Sequence, residues 1–191
     1  MLETALSGVR VIDLSRILAG PWCTQNLADL GARVLKIEHP ERGDDTRQWG
    51  PPYFERGAER MSAYFSCCNR GKTAIGIDFS SPEGAQKIRE LAADADVFVE
   101  NFRVGTLAKY RLDYQSLRAI NPRLIYLSIT GYGQSGPSAH KPGYDYVFQG
   151  TGGLMSYTGL ADGEPGAMPL RTGVAVVDIS TGLYATSAVL A

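Results

Sequence analysis

Five short runs rich in Val, Ile and Leu recur along the chain: VRVIDL (9–14), RVLKIE (33–38), TAIGID (73–78), DVFVEN (96–101) and LIYLSI (124–129). Strands this apolar suit a sheet covered on both faces, because both rows of alternating side chains must be buried. Helical patterns lie between them. Pro21–Leu30 begins on a proline, carries Leu27 and Leu30 on one side and stops at Gly31, as expected of a helix with proline in its first turn and a glycine cap. Ser80-Ser81-Pro82-Glu83 opens a second helix through Ala93, whose Ile88, Leu91 and Ala92 form one apolar face. Strand, helix, strand in this order favours parallel pairing through right-handed crossovers. The expectation is an α/β fold, a Rossmann-like open and mostly parallel sheet with helices on both faces.

It is not a dinucleotide fold by motif. The turn after the first run reads SRILAGPW, without G-x-G-x-x-G, and the sequence contains no P-loop. A formal net charge of −1 over 191 residues offers no concentrated basic face for nucleic acid. The three cysteines, Cys67 and Cys68 adjacent, show no metal-ligand spacing, and the reading is of no metal and a reduced, cytoplasmic setting. No apolar run approaches the ~20 residues that cross a bilayer, and no basic-then-apolar leader opens the chain, so no membrane partner is expected.

Candidate chemistry lies at the ends of the runs, where open α/β sheets place ligands. Asp178 follows the apolar VAVV and precedes a helix-like stretch, so its carboxylate falls at a helix N-terminus, as an anion favoured by the dipole or simply as the cap. Asp145, in PGYDY, is a second carboxylate, alternatively the cap of a helix starting near Tyr146. Asp13 ends the first run and reads as a tie for the following turn. His39 precedes Pro40, His140 lies in a polar loop, and neither reads as a base. Cations and amides cluster in Asn69-Arg70-Gly71-Lys72 and Asn101-Phe102-Arg103, with Lys109 further on; a solvated surface is the ordinary alternative for isolated lysines. Two late glycine clusters (Gly131, Gly133 and Gly136; Gly150, Gly152 and Gly153) are either turns or places where backbone N–H groups approach a ligand.

Three passages, GVRVIDLSRILAGPWCTQNLADLGARVLKIEHPERGDDTR (8–47), PGYDYVFQGTGGLMSYTG (142–159) and VAVVDISTG (174–182), resemble the class III (CaiB/BaiF-type) coenzyme A transferases, from Leu6 to the final residue. The resemblance implies a CoA-transferase acting on an acyl-CoA and a carboxylic acid, with coenzyme A as substrate. It makes Asp178 the nucleophile of a mixed anhydride and an enzyme–CoA thioester, with Asp145 as a supporting catalytic carboxylate. It also implies CoA contacts at Leu18, Ala19, His39, Asn69, Arg70, Gly71, Lys72, Asn101, Phe102, Arg103, Lys109 and the stretch Lys141 to Tyr144. His39 stands where some members carry arginine, and Leu18 replaces a polar residue of oxalate-specific enzymes, which argues against formyl and oxalyl substrates.

Racemases of the same fold use a histidine where this chain has Tyr144; tyrosine titrates near 10 and is a poor base at neutral pH. The resemblance further implies an interlocked homodimer, with residues 1–191 as the N-terminal part of a larger domain. The helix begun near Asp178 runs to Ala191 without a Gly, Asn or basic stop. The corresponding expectation is a truncated chain, with a CoA-binding but inactive fragment as the alternative to an active transferase, in which Ile179, Leu183, Val189 and Leu190 lack partners.

Overall fold

The computed structural model describes residues 4–57 and 59–191. Five of the strands, β1 (Arg10–Asp13), β2 (Arg33–Glu38), β5 (Thr73–Gly76), β6 (Val97–Glu100) and β7 (Ile125–Ser128), form one parallel sheet in the order β5-β2-β1-β6-β7. Val11 pairs with Val34 on one side and Val97 on the other. Each expected run therefore contains a strand, two residues shorter than the run except at 33–38.

Alternation along these strands builds two cores. Val11, Val34, Val97 and Val99 face Cys23 and Leu27 of α1 (Ala19–Asp29) and Ala185 of α6 (Val176–Leu190). Ile12, Ile37 and Phe98 face Ile88 and Ala92 of α3 (Pro82–Ala93) and Leu117 of α4 (Tyr114–Ile120). Helices thus cover both faces, as the apolar strands require. The local signals hold as well: Ser81 caps α3 by accepting the Gly84 N–H at 3.0 Å, and beyond α1 the chain turns at Gly31, φ +104°, a conformation glycine adopts at no steric cost.

Shorter elements carry no apolar period. The hairpin of β3 (Tyr53–Arg56) and β4 (Glu59–Ser62) leads into α2 (Ala63–Asn69), where Ser62 Oγ accepts the Phe65 N–H at 3.2 Å. The cleft-forming α5 (Asp145–Thr151) follows β7 after a long irregular segment.

α6 lies against α1 at Gly182. A Cβ there would sit 2.8 Å from the Ala19 carbonyl oxygen and 3.0 Å from Trp22 Cβ, so a hydrogen in that place lets the two backbones meet. On the far side of α6, Leu183, Tyr184 and Leu190 are 51%, 80% and 50% exposed. Val189, by contrast, packs on the α1 core and Ile179 is half-buried, which corrects the expectation that both lack partners. Among the described residues no helix is long and apolar enough to cross a membrane, and no group of three His, Cys, Asp or Glu side chains is placed to hold a metal ion.

Candidate active site

The strand order changes direction between β1 and β6, and the loops leaving these strands diverge there. Open α/β sheets bind ligands at such a point, beyond the carboxyl ends of the strands. A cleft of about 410 Å³ occupies it. One wall is the Arg16–Ala19 turn and the loop from Asn101; the other brings Lys141, Tyr144, Asp145 and Asp178 from sequence-distant elements.

Asp178 sits in the first turn of α6, with Ala175 in the cap position; it is not the cap. Its carboxylate is half-buried at the cleft, and among the described residues no group donates a hydrogen bond to it. Burial, then the charge of Asp145, push its pKa up to about 6.

Asp145 does not cap α5, on which it is the first residue. Its Oδ1 instead accepts the Val177 N–H at 2.8 Å and the Asp178 N–H at 3.3 Å, closing the N-terminus of α6. Asp145 thus caps a helix, but α6 rather than the α5 that its sequence position suggests. Gln149, one turn along α5 and fully buried, donates to Asp145 Oδ2 and accepts the Thr172 N–H at 2.8 Å. Asp145 is thereby fixed from behind and holds the peptide that carries Asp178.

A second cleft of about 320 Å³ lies beyond β1, β2 and β5. Its apolar lining includes Phe79, edge-on to Phe102 at 5.2 Å and to Tyr110 at 5.4 Å. Arg16, His39, Arg42 and Ser80 also line it, and Arg16, Phe102 and Thr106 line both clefts. His39 Nδ1 accepts the Glu41 and Arg42 N–H groups at 3.2 and 3.3 Å, so this nitrogen is occupied by the local turn.

Of the expected CoA contacts, Leu18, Ala19, Asn101, Phe102, Arg103, Lys141 and Tyr144 line the first cleft, and His39 lines the second. Four others do not. Lys72 is 1% exposed at its side chain, and its Nζ donates to Asp13 Oδ2 (2.9 Å), the Pro21 carbonyl (2.8 Å) and Asn69 Oδ1 (2.9 Å). All three of its protons are committed, so Lys72 is neither a phosphate ligand nor a solvated lysine. Asn69 serves that ammonium, and Gly71 makes the intervening turn at φ +74°. Arg70 pairs with Asp29 on the surface. Lys109 is exposed on the short turn Leu107–Tyr110 and lines neither cleft.

Asn101 is at the cleft in a different role from the expected one. Its Oδ1 accepts the Arg16 N–H at 2.9 Å and its Nδ2 donates to the Arg16 carbonyl at 2.7 Å. Asp13 is the tie expected of it, accepting from Ser15, Thr24 and Lys72. Burial opposes its charge, but Lys72 and Lys36, with the hydrogen bonds from Ser15 and Thr24, together outweigh that and hold the carboxyl down to about 2. Sequence reasoning missed Arg16, Gln149 and Tyr64. The Tyr64 phenol, edge-on to Trp49 at 5.1 Å, is kept protonated by burial and by the nearby Asp178 and Asp145 charges. Arg16 and Gln149 lie within two of the passages that resemble the family, but nothing local in those passages signals their roles; the tertiary fold brings Arg16 to both clefts and Gln149 behind Asp145. Of the late glycines, Gly131 lines the cleft and the 150–153 cluster does not.

The cleft therefore presents a carboxylate to which no group among the described residues donates a hydrogen bond, its pKa pushed up to about 6, beside a tethered one. The sequence profile of CoA-transferase family III matches residues 6–191, and the chain belongs to that family. It is 55% identical to a succinate–glutarate CoA-transferase of Agrobacterium fabrum over 97% of this chain and 46% of that protein. It is 49% identical to the human succinyl-CoA:glutarate CoA-transferase over 97% of this chain and 41% of that one. The crystal structure of a CaiB/BaiF family protein from Brucella suis superposes with a TM-score of 0.90 at 55% identity, covering 98% of this chain and 48% of that chain. The chain thus spans just under half the length of these relatives.

Proposed function

We propose that this chain carries the CoA-holding half of a CoA-transferase domain, and that the whole protein moves coenzyme A from an acyl-CoA to a free carboxylic acid. The observation that carries the reading is the Asp178 carboxylate, half-buried in the first turn of α6 and without a hydrogen-bond donor among the described residues, in the cleft at the sheet's switch point. The Asp178 oxygen attacks the thioester carbonyl carbon, the C–S bond breaks, and CoA leaves as a thiolate, giving a mixed anhydride. The thiolate then attacks the Asp178 acyl carbon and expels the donor acid as its carboxylate. An enzyme–CoA thioester results. The acceptor carboxylate attacks this thioester and the thiolate returns to the acceptor's acyl carbon, restoring Asp178.

Two features support this course. A carboxylate with a pKa near 6 is a better nucleophile than an ordinary one and is still ionised at neutral pH. The first cleft suits the thioester arm, while the second offers a flat aromatic slot for an adenine with Arg16 and Arg42 near it for phosphates. The names of the relatives support dicarboxylic substrates of the succinate and glutarate class.

The test is Asp178→Asn in the full protein. CoA binding by calorimetry should persist while exchange of CoA between two acids is abolished. Wild-type exchange in the variant would refute the assignment, and incorporation of solvent deuterium at the α-carbon without exchange would replace transfer by racemisation.

A further inference from the structure

The turn between β1 and α1, Ser15 to Ile17, enters the wall of the first cleft at Arg16 and Ile17, and among the described residues it makes no backbone–backbone hydrogen bond. Each of its backbone polar groups is met by a side chain from elsewhere. The Ser15 N–H goes to Asp13 at 3.0 Å and its carbonyl accepts Lys36 Nζ at 2.9 Å. Arg16 is held at both ends by Asn101. The Ile17 N–H is shared between the two Asp44 oxygens at 3.4 and 3.3 Å, and its carbonyl accepts Cys68 Sγ at 3.5 Å.

The same turn is strained. Ile17 has φ +71°, a left-handed conformation that a β-branched side chain resists and that persists only where its surroundings impose it. Asp44 is the group best placed to impose it. It is 4% exposed, pairs with Lys36 Nζ at 2.9 Å with both side chains 1% exposed, and accepts from Thr46 N and Oγ1 at 3.0 and 2.7 Å. Its own N–H donates to Glu38 at 2.8 Å. One lysine thus grips both the Ser15 carbonyl and the carboxylate that holds Ile17.

We propose that Asp44, seated by Lys36, is a positioning residue for the cleft: it fixes the left-handed Ile17 peptide and, through it, the Leu18–Ala19 wall against which the substrate lies. That the substrate is an acyl-CoA rests on the function proposed above; the hold on the turn does not. Neither side chain lines the first cleft; Asp44 borders the second, but its carboxylate is taken up by Lys36, Thr46 and the Ile17 N–H, so its action on the first cleft is indirect.

The experiment compares Asp44→Asn, the charge-free pair Lys36→Met/Asp44→Asn, and each with Ile17→Gly added, in the full protein. The paired variant leaves no buried lysine without its carboxylate, which guards against simple unfolding. Hydrogen exchange of the Ile17–Gly20 amides should rise by about ten-fold or more in the Asp44 variants, and KM for acyl-CoA should rise by a similar factor with kcat changed by only ~2–3-fold. Adding Ile17→Gly should move both back toward wild type, because glycine takes the left-handed conformation freely. Unchanged exchange at the turn in the charge-free pair, or no recovery with glycine, would overturn the proposal. A wild-type protein without CoA exchange would sink the proposed function alone, because amide exchange at the turn still decides this one.

Discussion

Replacing Asp178 by Asn should stabilise the protein at neutral pH. The carboxyl is raised from an ordinary 3.8 to about 6, by burial first and by Asp145 second, so the folded state binds its proton more tightly than the unfolded chain. Between about pH 4 and 6 the folded state therefore carries more protons than the unfolded one, and stability falls as pH rises through that window. A shift of about two units corresponds to roughly 3 kcal/mol at 1.36 kcal/mol per unit. Asp178 is only half-buried, and solvent screening reduces this to about 1–2 kcal/mol. The α6 dipole works the other way, by ~0.3–1 kcal/mol for a first-turn anion, and does not reverse the sign. Asparagine keeps the shape and has no charge to desolvate. Urea unfolding of both forms should show the variant more stable by about 1–2 kcal/mol at pH 7.5, with the difference vanishing below about pH 4. A variant equal to or less stable than wild type at pH 7.5 would refute the reasoning, because it would mean the Asp178 charge is not opposed by its site.

Three other perturbations follow from the same geometry. Asp145→Asn keeps an oxygen for the α6 cap but removes the neighbouring charge, so the acidic limb of the activity–pH profile should move to lower pH; Asp145→Ala should in addition cost ~0.5–2 kcal/mol of stability, read by chemical denaturation. Gly182→Ala places a methyl 2.8 Å from the Ala19 carbonyl oxygen and should lower stability by about 1–3 kcal/mol despite alanine's better helix propensity, with a fall in melting temperature as the readout. Lys72→Ala leaves Asp13 buried without its partner and should cost about 3–5 kcal/mol; a folded variant of wild-type stability whose only defect was weak, salt-sensitive CoA binding would return Lys72 to the phosphate site.

What was legible in the sequence was what is locally encoded. The Val/Ile runs with capped helices between them gave the parallel sheet, because a strand such as Val97–Glu100 is buried at every position and cannot be anything but interior. Asp178 and the cleft residues around Leu18, Phe102 and Tyr144 were reached through motif resemblance. Lys72 was misread for a physical reason: spacing places a lysine at a strand end but does not say whether its ammonium turns outward or, as here, inward onto Asp13. Asn101 was placed in the right loop, but its amide spans a peptide unit 85 residues away, and no pattern in one sequence reports that pairing. Ile17 is the extreme case, since β-branched residues argue against the left-handed turn it occupies. Its conformation is set entirely by side chains distant in sequence.

In the proposed reaction Asp178 becomes covalently attached to CoA during turnover. The full protein, incubated with a succinyl-type acyl-CoA and then hydroxylamine, should be cleaved to peptides and read by mass spectrometry. A hydroxamate at Asp178, formed only when acyl-CoA is present and absent from the Asp178→Asn variant, is the predicted result. Continued CoA exchange with no modification at Asp178 would contradict the account.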